Sequence, residues 1–138
     1  MKALKIGLYN KFVGSALASN VSNRFFDSFV PEGTPFPYVR YSFPGITPEK
    51  TFTEEYENVQ IQFSLFSDDI GDGTEIETMF ENLVALYDDC EITATGHSVI
   101  YMQRQSSDEF VEEHTTTEGT KAVWHAPVLY ELLSLRTT

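Results

Sequence analysis

Residues 56–66 read YENVQIQFSLF, and this stretch sets the architecture expected for the chain. Val59, Ile61, Phe63 and Leu65 are apolar and alternate with polar residues. A period of two is typical of a strand with one buried face and one face in water, as in antiparallel sheets. The stretch therefore predicts a strand that forms one side of the hydrophobic core.

A turn and then a helix are predicted after this strand. Residues 67–73, SDDIGDG, have the composition of a turn. Thr74 is expected to be the helix N-cap, with Glu77 completing a capping box. Apolar residues then recur at three- and four-residue steps, which places them on one helix face. They are Ile76, Met79, Phe80, Leu83, Leu86, Tyr87 and Cys90. Strand and helix together predict a sheet with a helix packed on it.

The rest of the chain supplies a second helix and more strands. Gly14 is expected to weaken the first helix only modestly. Residues 44–48, PGITP, are expected to break a strand, and Pro127 suggests an edge position or a bulge. Residues 107–120 are expected to form a long, mobile hairpin loop. The further predicted elements are a helix at 2–17 and strands at 21–26, 38–43, 97–107 and 121–135.

These elements predict a single α+β domain spanning residues 1–138. It should be a two-layer sandwich, with two helices packed on one face of a mostly antiparallel sheet of four to five strands. A length of 138 residues and a hydrophobic content of 41% are enough for one sizeable core. No apolar run reaches the length of a membrane span, and the N-terminus does not resemble a signal peptide, so synthesis in a cytoplasm is expected.

Acidic charge is concentrated in the middle of the chain. The net charge is −12, and between Thr51 and Gln103 there are twelve Asp or Glu residues and no Lys or Arg. Such a surface repels the phosphates of nucleic acids and anionic membranes. One interpretation is an ordinary solvated face. The sharper one is a surface that must not adhere to DNA while DNA is near.

No catalytic or cofactor motif stands out in the sequence. The three histidines lack a Cys or second His at zinc-ligand spacing, and there is no nucleophile elbow, Walker A loop or dinucleotide fingerprint. The acidic turn 68–75 lacks calcium-loop spacing, which leaves weak cation binding as an alternative to a simple turn. Cys90 and His97 could be imagined as a nucleophile and its base, but a cysteine on an apolar helix stripe favours core packing.

The order of elements resembles that of a known family. The resemblance covers the N-terminal helix, the loop ending in FPYV at 36–39, the acidic connection, the alternating strand 59–66, the helix after Asp72-Gly73 and the aromatic closing strand from Trp124 to Tyr130. In this layout the chain resembles the tail terminator (tail completion) proteins of tailed phages. Those proteins cap the tail tube and join it to the head.

The resemblance implies a structural role without a cofactor. It implies a hexameric ring that ends polymerisation of the tail tube and offers a surface for head attachment. The partners would be further copies of the chain, the tail tube protein and the head–neck connector proteins, with no membrane. DNA would pass through without specific binding. The location would be the tail and neck of a virion assembled in a bacterial host. No motif residue carries over from the family to this chain.

Two sets of residues are candidates for the subunit interface and for the lumen of such a ring. Isolated apolar residues in long polar loops are expected at subunit interfaces; these are Ile46, Phe52, Phe110 and Val111. Acidic residues in the turn and hairpin are expected to face the lumen; these are Asp68, Asp69, Asp72, Glu112 and Glu113.

Two other functions remain open from the sequence. The first is another phage neck, connector or tube-type structural protein of similar layout, because fold alone does not separate these roles. The second is a monomeric module that binds a basic protein through its acidic face. Mass in solution would separate the second from any ring.

Overall fold

Seven strands and three helices are present in the computed structural model, which describes residues 2–51, 53–116 and 119–136. In chain order they are α1 (Lys2–Phe12), α2 (Ala16–Asn20), β1 (Phe25–Asp27), β2 (Tyr38–Lys50), β3 (Glu55–Ser67), α3 (Thr74–Tyr87), β4 (Thr93–Ala94), β5 (His97–Ser107), β6 (Phe110–Thr116) and β7 (Gly119–Arg136). The class is α+β, as predicted.

All the strands belong to one sheet that curls into a half-barrel. Its order is β1-β2-β3-β7-β5-β4, and β6 pairs with the first part of β7. Only β1 and β2 run parallel among the described pairs. The predicted four to five strands and two helices are therefore too few. The additional elements are short or highly polar, so they leave little periodic signal in the sequence.

The predicted pairing of strand and helix forms the centre of the core. The four alternating apolar residues of β3 are all completely buried. From α3, Leu83 and Tyr87 are also completely buried, and the Tyr87 ring stacks on that of Phe63 with centroids 4.6 Å apart. The Tyr87 hydroxyl donates to the Leu8 carbonyl oxygen at 2.8 Å, which ties α1 to α3.

The predicted first helix is in fact two helices. Gly14 adopts a φ of +77°, a left-handed conformation that ends the first helix. Ser15 then caps α2, because its Oγ accepts from the Ala18 N–H at 3.1 Å. The expectation that Gly14 only weakens a continuous helix is wrong.

The strand predicted to break at Pro44 continues instead. β2 runs through this proline, and its pairing with β3 shifts register between Ser42 and Gly45. A β-bulge of this kind accommodates a residue that cannot donate to the ladder. The segment after the predicted break is therefore paired strand up to Lys50.

Pro127 lies on a central strand, and the predicted edge position is wrong. β7 pairs with β3 on one side and with β5 and then β6 on the other. The Pro127 carbonyl accepts from the Asp108 N–H at 3.1 Å, in the connection between β5 and β6. Because N–H and C=O of one residue point to the same side of a strand, the missing N–H of Pro127 faces this gap between two partner strands.

The outer face of the sheet, which points away from the main core, is not uniformly exposed to solvent. Tyr38, Phe66 and Val123 are buried there, and Val30 and Phe36 from the loop before β2 pack against them. The alternation in β3 predicts a wet face correctly at Gln60 but not at Phe66. A loop that is distant in the sequence provides the cover, and periodicity carries no information about it.

The ends of α3 also differ from expectation. Gly73, with a φ of +76°, occupies the N-cap without a side-chain bond, and Asp72 Oδ1 accepts from the Thr74 N–H at 3.0 Å. Thr74 is therefore the first helical residue and not the N-cap. At the other end the helix stops at Tyr87, so Cys90 lies beyond it and is half-buried.

Candidate assembly surfaces

The end of the β2–β3 hairpin forms an arm that we define as residues 45–60, without Phe52. It is held by pairing of residues 45–50 with 55–60, and its turn is closed by the Thr51 N–H donating to the Glu54 carbonyl at 2.9 Å. Ile46, a predicted interface residue, lies on the arm and is 43% exposed. Phe52, another, lies outside the described residues. The arm also carries four glutamates against one lysine.

The second hairpin is built from β6 and the first part of β7. The predicted loop is thus largely paired strand, from Phe110 opposite His125 to Thr116 opposite Gly119. Phe110 and Val111, both predicted interface residues, are 39% and 46% exposed. Neighbouring residues on a strand point to opposite faces, so these two side chains present apolar surface on both faces of the hairpin.

A histidine cluster at the base of this hairpin was missed by the sequence reading. The His125 ring stacks on Phe66 with centroids 4.4 Å apart, and Phe110 meets it edge-on at 5.1 Å. Glu112 Oε1 lies 2.9 Å from His114 Nε2 and 3.0 Å from His125 Nδ1. Neither His125 nitrogen makes an aligned hydrogen bond to a described residue. Burial lowers the pKa of His125 despite the nearby carboxylate, which favours the neutral ring.

The turn acids predicted to face a lumen lie close to the β6–β7 hairpin. Asp68 forms an ion pair with Lys121 of β7 at 2.8 Å, which joins the turn to the hairpin. The Asp69 N–H donates to Ser67 Oγ, and hydrogen bonds from Thr74 lower the pKa of Asp72. The turn and the hairpin therefore meet at one end of the molecule.

The two hairpin acids predicted to face a lumen differ in their surroundings. Glu112 bonds within the histidine cluster, while Glu113 is exposed opposite Ala122. The predicted acids thus cluster at this end of the sheet, and their position relative to a ring axis stays a prediction.

α1 carries an exposed apolar stripe to which the sequence analysis assigned no role. Ile6, Tyr9 and Val13 are 51%, 49% and 56% exposed. The sequence does show their three- and four-residue spacing, but it also places Leu8 and Phe12 on the same short helix. A broad apolar arc does not reveal which part of it a neighbouring element will cover.

Cys90 and His97, considered above as a nucleophile and its base, contact other residues instead of each other. Burial raises the pKa of the Cys90 thiol to about 11, and its Sγ lies 3.6 Å from Met102 Sδ. His97 Nδ1 lies instead 3.0 Å from Ser134 Oγ. Within residues 2–51, 53–116 and 119–136, no three His, Cys, Asp or Glu side chains are grouped to hold a metal ion. In the same ranges, no helix is long and apolar enough to cross a membrane.

An α+β domain that keeps apolar side chains exposed on two hairpins and one helix has the character of a structural subunit that assembles with other chains. The sequence model of the family described as tail completion protein gp17 matches residues 9–123. The chain belongs to this tail completion family, whose members are structural proteins of phage tails. The predicted family resemblance is confirmed. No curated protein gives a significant match.

Solved structures provide a likeness in fold. A chain from a structure described as the virion of a native gene transfer agent particle superposes with a TM-score of 0.73 at 13% identity, covering 96% of each chain. A second solved chain, 17% identical over 95% of this chain and 91% of that one, has a TM-score of only 0.44 and supports no argument. The first match shows that the whole α+β fold occurs in a virion component.

Proposed function

We propose that this chain is a subunit of a hexameric ring that caps the tail tube, ends its polymerisation and offers the surface to which the head attaches. Family membership over residues 9–123 carries the proposal. The likeness to a chain of a gene transfer agent virion is consistent with assembly in a particle of this kind. The role is structural, with no catalytic step and no cofactor.

The exposed apolar residues favour a subunit that assembles with other chains over a monomeric protein. Ile46, Phe110 and Val111 project from paired strands where the chain itself provides little cover. Exposed apolar groups that are held in place by backbone pairing, and not collapsed onto the core, suit contact with other subunits. The partners we propose are further copies of the chain, the tail tube protein and the head–neck connector proteins, in the tail and neck of the virion.

An isolated ring should be visible by negative-stain imaging, and it should have the mass of six subunits in solution.

Ile46→Asp should weaken the ring, because it puts a charge into an apolar contact. Thr47→Asp is the matched control, since it adds the same charge at the next exposed position on the opposite face of the arm. A wild-type chain that stays monomeric, with or without tail tubes, would favour the alternative of an acidic module for a basic protein. Equal effects of the two substitutions would remove Ile46 from the interface.

The acidic residues should keep duplex DNA from adhering as it passes through the ring. We propose that Asp68, Asp69, Asp72, Glu112 and Glu113 supply part of this charge at the lumen. The ring should therefore show no measurable binding to duplex DNA even at low salt, where unscreened attraction would be strongest. A titration monitored by fluorescence anisotropy tests this. Micromolar binding that weakens with salt would reveal a basic surface and contradict an acidic lumen.

A further inference from the structure

The end of β5 and the whole of β6 form one regular strand segment along the rim of the sheet. Residues 106–107 of β5 and residues 110–116 of β6 pair with β7 in the same register. Between them the Asp108 N–H donates to the Pro127 carbonyl oxygen at 3.1 Å, which fits that register too. Pro127 has no N–H to donate in return, which accounts for the break between the two strands. Residues 106–116 therefore run along β7 without a shift.

One side of this segment has no strand beside it. Among the described strands β6 pairs with β7 alone, and β4 reaches no further than the start of β5. The N–H and C=O of one residue point to the same side of a strand, and the side alternates along the chain. Because Asp108 bonds to β7, the odd-numbered residues of the range 107–115 point away from it. The N–H groups of Val111, Glu113 and Thr115 have no acceptor among the described residues. We call residues 107–115 the free edge.

The other rims of the sheet are protected against pairing with a further strand. β1 and β4 are only three and two residues long. The unpaired side of β2 contains a register shift and Pro48, and β5 contains two register shifts before Ser106. Short strands, bulges and prolines are means by which proteins keep sheet edges from pairing with other chains. Residues 106–116 contain none of these three features, so their charge alone decides which strand can pair with them.

The free edge has a symmetric pattern of charge. Residues 108–113 read DEFVEE, which is two acids, two apolar residues and two acids. Asp108, Glu109 and Glu113 form no ion pair with any described residue. Asp108 Oδ1 accepts from the Glu109 N–H at 2.8 Å. The two apolar residues at the centre are both exposed, and they lie on opposite faces of the strand. A partner strand could therefore meet acidic and apolar groups on either face.

The same pattern disfavours a second β6 as the partner. Acids that lie opposite acids across two strands destabilise the pair. The pattern reads the same in both directions, so two free edges with aligned centres bring acids together whether they run parallel or antiparallel. No described strand of this chain has a net charge above +1. The charge therefore favours an extended segment of another protein, with bases where the free edge has acids.

We propose that the free edge takes up an extended basic segment of another protein as an additional strand of the sheet. The backbone of that segment pairs with the outward N–H and C=O groups, a mode of recognition that protein domains use for peptides. Its Lys or Arg side chains lie opposite the four acids, and apolar residues between them cover Phe110 and Val111. This inference goes beyond the proposed ring, because it names the chemistry of a partner that is not a further copy of the chain.

Two short peptides test the free edge on the wild-type chain. The peptide TKKVVKKT complements DEFVEE, and its pattern also reads the same in both directions. The control TKKPPKKT has the same charge, but its prolines lack N–H groups and cannot pair as a central stretch of strand. In fluorescence anisotropy the first peptide should bind about tenfold more tightly, because the second loses backbone hydrogen bonds. Equal binding would mean simple charge attraction and would overturn the proposal, as would no binding of either peptide.

Amide hydrogen exchange shows where the peptide binds. TKKVVKKT should slow exchange at Val111 and Glu113, whose N–H groups point outward, and leave Phe110 and Glu112 unchanged. Equal slowing at all four amides would indicate general stabilisation and overturn the proposal. Slow exchange at Val111 and Glu113 without peptide, lost on dilution, would show that a second copy covers the free edge, which also contradicts it.

A pair of substitutions at Glu113 tests the same contact from the protein side. Glu113→Pro and Glu113→Ala remove the same charge, and only the proline removes the outward N–H. Proline is tolerated on an edge strand where the N–H faces solvent, so both variants should unfold at similar temperatures. Glu113→Pro should bind TKKVVKKT about tenfold more weakly than Glu113→Ala, because it loses a backbone hydrogen bond and its pyrrolidine obstructs the added strand.

The outcomes separate this inference from the ring. Equal binding of TKKVVKKT by the two folded Glu113 variants would overturn the strand pairing. If the proline disturbs the hairpin, the peptide pair and the exchange pattern decide, since both use the wild-type chain. The ring is judged by mass and imaging, so a negative result at the free edge leaves the ring proposal standing.

Discussion

Replacing Phe63 with alanine should lower the free energy of unfolding by about 3–5 kcal/mol, the usual cost of removing a buried aromatic side chain. Phe63 is completely buried at the centre of the contact between β3 and α3. Its ring stacks on Tyr87 at 4.6 Å and meets Tyr130 edge-on at 5.7 Å. The space it leaves cannot close easily, because its neighbours are rigid rings held by other contacts.

Denaturant unfolding measures this loss directly. Gln60→Ala is the matched control, since it truncates an exposed side chain on the other face of the same strand and should change stability by little. A Phe63→Ala variant as stable as Gln60→Ala would mean that α3 does not pack on this strand. The test bears on the fold, because Phe63 is completely buried and offers no surface of its own to another chain.

The sequence predicts a helix or strand and its buried face well wherever other elements cover one face along its whole length. β3 alternates because the helices cover one side of it, and α3 shows a clear 3.6-residue period for the same reason. Leu83 and Phe63 could therefore be placed in one interface before any coordinates. β5 also begins and ends where its composition indicates, at His97 and Ser107.

Prediction from the sequence fails where the local structure depends on one residue's backbone conformation or on a segment distant in the chain. Gly14 could occur inside a helix or at its end, and only the left-handed φ it adopts distinguishes the two. Pro44 was expected to break a strand and Pro127 to mark an edge or a bulge, yet a bulge accommodates Pro44 and a change of partner strand accommodates Pro127. Residues 112–116 are polar on both faces, so pairing in β6 leaves no periodic trace.

The same limit applies to the candidate surfaces. Ile46, Phe110 and Val111 could be found from sequence, because isolated apolar residues in polar segments are conspicuous. The stripe on α1 could not, since Ile6, Tyr9 and Val13 are adjacent to core residues on the same helix. The cluster of His114, His125 and Glu112 depends on the register of β6 against β7, which no local pattern encodes.

Replacing Gly7 with valine should destabilise the fold by about 2–3 kcal/mol, near the upper end of the usual cost of overpacking. Gly7 is buried where α1 meets the segment before β4. A Cβ at this position would lie 2.7 Å from Ile92 Cγ2 and 2.7 Å from the Thr93 carbonyl oxygen. The carbonyl belongs to the backbone, so the helix itself must move outward.

Asn10→Val is the matched control for this substitution. It places the same side chain on the exposed side of α1, and Asn and Val have similar helix propensities. Gly7→Val should therefore unfold at a lower denaturant midpoint than Asn10→Val, even though the loss of a helical glycine is by itself favourable. Equal stability of the two variants would show that α1 does not lie against Ile92 and Thr93.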